Sequence, residues 1–197
     1  GGVYIADYGN HRVLYFSSGS TIASRVYGQF GSFSCNFANN NGSCGAGSPS
    51  ANNLNGPTGL YLDASDGLYV ADGQNHRVLF FPSGTTTATR VYGQGGSFTC
   101  GVRNNNGSCT IGTISANNLY WPMSVSGDSS GGIYVTDNQD HRILYYPVGT
   151  LTASGVYGQF GNFTTGWQGT LSANTLSSPT SATADGSGGL YVADNQN

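Results

Sequence analysis

The sequence lacks several residue types that most soluble proteins use in quantity. It contains no lysine, no glutamate and a single methionine; all six basic residues are arginine and all nine acidic residues are aspartate. The charged fraction is 8%, far below the roughly 25% that is usual for soluble domains. Because lysine, glutamate and methionine are strong helix formers, their scarcity argues against an α-helical protein.

The few charges also limit the partners that the protein can have. The formal net charge is −3 and the arginines form no cluster along the chain, whereas nucleic acid binding requires concentrated basic residues. No apolar run approaches the roughly 20 residues of a membrane-spanning helix. We therefore expect neither a nucleic acid partner nor a membrane span.

The residues that are present favour strands and tight turns. Glycine occurs 32 times and tyrosine 13 times, and asparagine, serine and threonine are abundant. Glycine and asparagine suit turns, while tyrosine, valine and threonine suit strands. With a hydrophobic fraction of 37%, the chain can form a core, so the composition predicts an all-β protein.

The chain repeats itself at a fixed interval. An aspartate before a similar turn falls at positions 7, 72, 137 and 194, so the steps are 65, 65 and 57 residues. Pro57, Pro122 and Pro179 keep the same spacing and place repeat breaks near 56/57, 121/122 and 178/179. Such periods indicate an array of structural repeats, so we expect residues 1–197 to form one tandem array.

One period contains four short predicted strands, at residues 59–63, 68–72, 76–81 and 89–94. The second, Leu68 to Asp72, is almost wholly apolar, which suits burial on both faces. Turn residues between the strands indicate an antiparallel meander. Four-stranded meanders in tandem are the blades of β-propellers.

The segment from Pro57 to Phe81 resembles the NHL repeat, a β-propeller blade. The resemblance rests on Pro-x-Gly before the first strand, Asp-x-x-x-Gly between strands, and "YVADGQNHRV", which recurs as "YIADYGNHRV" and "YVTDNQDHRI". It implies tandem four-stranded antiparallel blades of NHL-type propeller, in three repeats of about 57–65 residues. The long period and the serines that replace glycine, Ser124 and Ser181, depart from the family pattern.

The extra length of each period is a loop between the fourth strand and the next first strand. We expect this loop at a blade edge, facing solvent. Two of the three loops carry a C-x8-C pair, Cys35 with Cys44 and Cys100 with Cys109, and the third loop lacks both cysteines. Because the two cysteines of a loop are present or absent together, we predict one local disulfide in each long loop. The alternative, a zinc site, has no nearby histidine, and disulfides would place the protein outside the cell.

Each inserted loop also contains one acceptor sequon for N-linked glycans, at Asn41, Asn106 and Asn162. A chain rich in asparagine, serine and threonine produces such sequons easily by chance. Their position beside a predicted disulfide on a surface loop instead favours glycosylation.

The three histidines, His11, His76 and His141, occupy the same place in successive repeats. Histidine is a common metal ligand and general base, but a feature repeated in every blade usually serves packing. We expect the aspartate to cap the turn, and the histidine and arginine to open the third strand and bond to neighbouring blade edges. The residues with this structural role are Asp7, His11, Arg12, Asp72, His76, Arg77, Asp137, His141 and Arg142, with Asp194 as the fourth aspartate.

The sequence contains no catalytic motif, so we expect a protein that is not an enzyme and has no cofactor. The resemblance includes a zinc-dependent amidating lyase, but such a site needs residues that differ from blade to blade, and none stands out. The turn from Asp137 to Asp140 supplies too few oxygen ligands for calcium. Other family members bind RNA through a basic face, which this chain does not offer.

The first and last blades are incomplete: the chain opens with strands two to four and closes with strands one and two. We expect either a window from a longer array or copies that add head to tail. The leading hypothesis is an extracellular, glycosylated structural repeat protein whose partners are further copies or neighbouring repeats and N-linked glycans, assembling into a fibre or a larger propeller. The alternative is a secreted or cell-surface propeller that binds protein or carbohydrate. Trp121 and Trp167 are the candidates for exposed aromatic contacts, and packing between blades is an equal alternative for both.

Overall fold

Strands joined by tight turns make up the ordered framework of the protein. The computed structural model describes residues 1–167 and 169–197. The strands in this part of the chain are β1 (Gly2–Asp7), β2 (Arg12–Ser17), β3 (Arg25–Tyr27), β4 (Pro57–Leu62), β5 (Leu68–Asp72), β6 (Arg77–Phe81), β7 (Arg90–Tyr92), β8 (Pro122–Gly127), β9 (Ile133–Asp137), β10 (Arg142–Tyr146), β11 (Gly155–Tyr157), β12 (Pro179–Ala184) and β13 (Leu190–Asp194). Short 3₁₀ helices cover Tyr8–Asn10, Gly73–Asn75, Asn138–Asp140 and Gln159–Gly161.

The strands form antiparallel meanders that resemble propeller blades. Two sheets have four strands, in the orders β4-β5-β6-β7 and β8-β9-β10-β11. A three-stranded sheet, β1-β2-β3, precedes them in the chain, and a two-stranded sheet, β12-β13, follows them. The predicted all-β fold of four-stranded antiparallel blades is confirmed.

The central strand β5 is buried on both faces, as its apolar run predicts. Leu68 and Val70 point to the cluster shared with the first sheet, and Tyr69 and Ala71 point to the cluster shared with the sheet of β8 to β11. Side chains alternate across a strand, so a strand between two neighbouring sheets must be apolar at every position. The sheets therefore pack face to face in chain order.

The boundaries of three predicted strands differ from the structure, and two of these differences have a local cause. The first strand of the second repeat begins at Pro57, two residues earlier than expected, because Pro57 already pairs with Asp72. The third strand begins at Arg77 and not at His76. His76 has φ 53°, a left-handed conformation that ends the 3₁₀ helix and cannot continue into an extended strand.

The first strands of successive sheets, β4, β8 and β12, are neighbours. Gly59 on β4 lies so close to β8 that a Cβ atom there would come 2.6 Å from the carbonyl oxygen of Met123 and from the Cα atom of Ser124. The approach requires glycine at this position. Among the described residues, no helix is long and apolar enough to span a bilayer.

Candidate functional site

The turn between the second and third strands is built around an aspartate carboxylate, which is buried in the second and third repeats. In the second repeat, Asp72 accepts hydrogen bonds from Asn75 Nδ2 at 2.8 Å, from Arg77 Nε at 2.7 Å and from the backbone N–H of Asn55 at 2.6 Å. The expectation that Asp72 caps the turn is wrong, because its side chain makes no capping hydrogen bond to the 3₁₀ helix. The carboxylate instead joins the turn to the segment that precedes β4.

Arg77 extends this network to both inserted loops that adjoin the blade. Its Nη1 donates to the carbonyl oxygen of Phe98 at 2.6 Å, and its Nη2 donates to those of Ser50 and Asn53, each at 3.0 Å. The side chains of Arg77 and Asp72 are both 0% exposed. A buried ion pair is tolerated only when the remaining donors are satisfied, and the loop carbonyls do this.

The first and third repeats contain the same aspartate–arginine pair, which is buried in the third repeat and partly exposed in the first. Arg142 Nε lies 2.8 Å from Asp137 Oδ2, and both side chains are buried. Arg12 Nε lies 2.9 Å from Asp7 Oδ2, but these side chains are 18% and 26% exposed. In the fourth repeat Asp194 accepts the backbone N–H of Ser177 at 2.7 Å, as Asp72 does from Asn55.

The three histidines connect consecutive repeats. The Nδ1 atoms of His11, His76 and His141 accept the backbone N–H groups of Gly56, Trp121 and Ser178 at 3.0, 3.1 and 2.9 Å. The three donor residues also share a left-handed backbone, with φ of 60°, 59° and 52°. This geometry requires unprotonated Nδ1, so each histidine holds the start of the next repeat in its neutral form.

The histidine pKa values are lowered in keeping with this role. Burial lowers the pKa of His76 to about 4, with a further contribution from the charge of Arg103. Burial also lowers the pKa values of His11 and His141, although nearby aspartates oppose it. Among the described residues, no group of three His, Cys, Asp or Glu side chains is placed to hold a metal ion.

A glutamine that the sequence analysis did not single out anchors each of the two long inserted loops. Gln29 Nε2 donates to the carbonyl oxygens of Asn10, His11 and Phe37 at 3.1, 3.0 and 3.0 Å. Gln94, one period later, donates in the same way to Asn75, His76 and Val102. The sequence "VYGQ" recurs at the same place in each period, and this recurrence could have identified the glutamine as a structural residue.

Both long loops are closed by disulfides, Cys35 with Cys44 and Cys100 with Cys109. The prediction that each long loop contains its own disulfide is confirmed, and two disulfides are typical of proteins from an oxidising environment. The expectation that the loops simply face solvent needs correction. Cys35 and Cys100 are buried, as are the loop residues Asn40 and Leu54, because each loop folds back over the blade turn.

The sequon asparagines Asn41, Asn106 and Asn162 are all exposed. Each is fixed by an Asx-type turn in which its Oδ1 accepts a hydrogen bond from the residue two positions later. The donors are the backbone N–H groups of Ser43 at 2.9 Å, Ser108 at 2.9 Å and Thr164 at 2.8 Å. The sequence-predicted sites therefore lie on ordered, accessible turns, one in each loop.

A depression lies between the second loop and the third blade. It measures about 460 Å³ and is lined by Arg103, Tyr120, Gln139 and Asp140, among others. The Arg103 guanidinium lies 5.1 Å from the centre of the Tyr120 ring and donates to its hydroxyl at 3.1 Å. Alanine and asparagine stand at the positions of Arg103 and Tyr120 one period earlier.

Of the two tryptophans proposed as ligand contacts, only one is freely exposed. Trp121 is half-buried beside the ring of His76, with 6.2 Å between the ring centres. Trp167 lies on the surface of the third loop. Trp121 lies at the joint between repeats. The two tryptophans therefore do not form one aromatic cluster with the depression beside Arg103, which is called the arginine depression below.

The features of the second repeat match a known family. Residues 54–81 match the family model described as the NHL repeat. This segment is an NHL repeat. The motif of the NHL repeat, from Tyr69 to Val78, is the one whose aspartate and arginine form the buried pair. A search of the curated proteins finds no match to this chain.

Solved structures that resemble the chain are propeller-like proteins. Virginiamycin B lyase from Staphylococcus aureus, selenomethionine-substituted, shares 14% identity at a TM-score of 0.52, with 98% of this chain and 45% of that chain covered. An auxiliary nutrient binding protein from Bacteroides thetaiotaomicron shares 11% identity at a TM-score of 0.57, covering 98% and 43%. At these identities the likeness concerns the fold. The chain spans less than half the length of either structure.

Proposed function

We propose that the protein is an extracellular, N-glycosylated structural repeat protein whose blades stack head to tail on further blades, in a fibre or a larger propeller. The observation that carries this proposal is a joint between blades that recurs with the same residues. Tyr27 meets Phe81 edge-on with 5.2 Å between ring centres, and Tyr92 meets Tyr146 in the same way at 5.2 Å, one period later. A joint that is repeated within the chain can be repeated between chains.

One half of this joint is exposed at the start of the array. Val3 and Ile5, which correspond to the buried Leu68 and Val70, are 58% and 46% exposed. At the other end Tyr157 lines a depression of about 480 Å³ together with Val192 of β13. A contact between these two different ends would be heterologous, and such contacts build rings or filaments.

The surface chemistry of the inserted loops supports the extracellular and glycosylated parts of the proposal. The three exposed sequons lie one to a loop, and the two disulfides suit an oxidising compartment. With 8% charged residues, the polypeptide itself has few ionic groups to keep an assembly hydrated. Glycans on the loops would supply that hydration. The proposal includes no catalytic role, because the histidines are occupied by the joints between repeats.

Electron cryomicroscopy of the material isolated from its source tests the assembly. We expect filaments or closed rings with an axial or rotational repeat set by the blade period. Recombinant Val3→Asp with Ile5→Asp should remain monomeric, since two charges would be buried at the joint. Ser18→Asp with Ser129→Asp, which adds equal charge on exposed turns, is the control and should assemble. Monomers in native material, or assembly of the Val3/Ile5 variant, would reject the proposal.

Peptide mass spectrometry of the native material tests the glycosylation separately. We expect hexose-containing mass additions on the tryptic or chymotryptic peptides with Asn41, Asn106 and Asn162. Deglycosylation should convert each occupied asparagine to aspartate. Bare asparagine at all three sites would remove the glycan part of the proposal and leave the assembly test unaffected.

The arginine depression favours a second candidate function, a protein- or carbohydrate-binding module. A planar guanidinium stacked beside a tyrosine, with Gln139 in the same lining, suits the hydroxyl groups and apolar faces of a sugar. An array of free oligosaccharides probed with the wild type and with Arg103→Ala tests it. Arg25→Ala is the matched control, because Arg25 also lies over a tyrosine ring but away from the depression. Binding that is lost with Arg103 alone would support this candidate, and no binding by the wild type would reject it.

A further inference from the structure

Two asparagine side chains hold the first inserted loop against the turn of the second repeat. Asn39 Nδ2 donates to Asn75 Oδ1 at 2.9 Å, and Asn75 Nδ2 donates to Asn39 Oδ1 at 2.7 Å. The second hydrogen on Asn75 Nδ2 goes to Asp72 Oδ2 at 2.8 Å. Both hydrogens of this buried amide are therefore used, one toward the loop and one toward the carboxylate of the ion pair.

In the third repeat the same position holds an acid. Asp140 replaces asparagine, and Asn104 Nδ2 donates to Asp140 Oδ1 at 3.3 Å. The other half of the pair is incomplete, since Asp140 Oδ2 and Asn104 Oδ1 both lack a hydrogen-bond partner among the described residues. Asp140 and Asn104 are 2% and 7% exposed, so water does not satisfy these atoms freely. An unpaired buried acceptor is costly, and here there are two.

The charged groups around Asp140 do not supply the missing hydrogen bonds. Arg142 Nη2 lies 3.5 Å from Asp140 Oδ2, but its better bonds go to Asp137 Oδ2 and to the carbonyl oxygens of Asn118 and Phe163. Asp137, on the other side, is a like charge. From the following loop Gly166 lies against Asp140 and brings no charge. Arg103, which shares the lining of the depression, donates to Tyr120.

We infer that Asp140 binds a proton in the folded protein and that this proton replaces the amide hydrogen that Asn75 donates to Asn39, which makes the joint between the second inserted loop and the third blade sensitive to pH. The carboxylic acid hydroxyl at Oδ2 donates to Asn104 Oδ1, and this one hydrogen bond satisfies both orphaned acceptors. In the second repeat the corresponding atoms, Asn75 Nδ2 and Asn39 Oδ1, lie 2.7 Å apart, which is the separation of a direct hydrogen bond.

The electrostatics agree with the geometry. Burial, together with the charge of Asp137, raises the pKa of Asp140 to about 8. An aspartate in an unfolded chain has a pKa of about 3.9. Between these values the folded state binds one more proton than the unfolded state, so stability falls as pH rises through the window and is complete below it.

The histidines act in the opposite direction, but equally in the wild type and in Asp140→Asn. Folding lowers the pKa values of His11, His76 and His141, and the unfolded chain still holds about half a proton on each histidine at pH 6.5. Burial also raises the pKa of the neighbouring Asp137. The difference in pH dependence between the wild type and Asp140→Asn therefore isolates the proton that the folded protein binds because of Asp140.

Chemical unfolding of the full chain at pH 6.5 and pH 8.0 tests the proposal. Over this interval the unfolding equilibrium constant of the wild type, divided by that of Asp140→Asn, should rise about tenfold. Asparagine is the natural residue at this position in the second repeat, so the variant is expected to fold. Equal pH dependence in the two proteins would overturn the proposal.

A direct observation of the carboxyl group makes the test independent of unfolding. In protein with ¹³C-labelled aspartate, the Asp140 carboxyl signal is assigned by its absence in Asp140→Asn. Its midpoint should lie near pH 8, and a midpoint in the usual range near pH 4 would overturn the proposal. Asn75→Asp on the Asp140→Asn background should transfer the high midpoint to the second repeat, and an ordinary midpoint there would equally contradict it.

Discussion

Arg77 is the most highly connected side chain of the repeat. Its guanidinium joins the carboxylate of Asp72, the loop carbonyls of Ser50 and Asn53, and the loop carbonyl of Phe98. One residue thus ties the turn of a blade to the loop before it and the loop after it. This explains why a charged residue occupies a fully buried position in a chain that has few charges.

Replacement of Arg77 by alanine should destabilise the protein by about 3–5 kcal/mol, because it leaves the Asp72 carboxylate buried and unpaired. Arg12→Ala is the matched variant, since Arg12 and Asp7 are partly exposed and such pairs contribute about 0–1 kcal/mol. Urea unfolding followed by tyrosine fluorescence measures both. Similar losses for the two variants would contradict the role assigned to burial.

His76→Ala should cost about 1–3 kcal/mol, because the backbone N–H of Trp121 would lose its acceptor inside the joint. The variant should also be less sensitive to acid. The unfolded chain binds a proton at His76 below about pH 6.5, while the folded chain resists protonation until about pH 4. Wild-type stability is therefore lost as pH falls through this window, and the variant should lose less. Unfolding measured at pH 7, 6 and 5 checks this, and parallel pH profiles would refute it.

At the residue scale, the period of the sequence was enough to select Asp72, His76 and Arg77 as a set. It did not give their contacts. The left-handed backbone of His76 follows from closing a 3₁₀ turn into a strand, which residue type alone does not reveal. The Asn104–Asp140 pair joins residues that are distant in sequence, and only the change from "GQN" to "NQD" between repeats marked the position.

At the scale of elements, the alternation of apolar and turn residues predicted the strands of the second repeat with errors of at most two residues at their ends. The short fourth strand, β7, is confined to Arg90–Tyr92, because Gly93 takes φ 90° and ends the extended run. The inserted loops were harder to predict. Their fold depends on hydrogen bonds such as those of Gln29, whose partners Asn10 and His11 lie in an earlier turn of the chain.

The disulfides order the loops, so their removal should lower the stability of the loop that contains them and leave the rest of the protein unchanged. Cys100→Ser with Cys109→Ser should lower the local stability of residues 97–118 by about 2–3 kcal/mol. Amide hydrogen exchange with mass spectrometric detection measures this loop by loop. The third loop, which has no cysteine, is the internal control and should exchange as in the wild type. Unchanged protection of residues 97–118 would show that buried contacts alone hold the loop.

At the scale of the whole molecule, the packing of neighbouring sheets depends on the close approach of their first strands. Gly59→Ala should destabilise the array by about 1–3 kcal/mol, because the added methyl would meet the backbone of β8 at Met123 and Ser124. Ser181→Ala is the control at the corresponding exposed position of the fourth repeat. Thermal unfolding of the two variants measures the difference, and equal melting temperatures would contradict the close packing. The sequence identified Gly59 as part of the family pattern, but only the folded structure shows that the backbone of β8 lies against it.

The absence of lysine and the burial of arginine have a consequence for proteolysis. Trypsin-like proteases cut after lysine or arginine, and of the six arginines only Arg103 is exposed. We expect limited trypsin digestion of the folded protein to cut first after Arg103, between Cys100 and Cys109, which form a disulfide. The two pieces would then stay joined in a non-reducing gel and separate only after reduction. A protein nicked at its most accessible basic residue would therefore keep its blades connected, and the array would survive a first proteolytic cut.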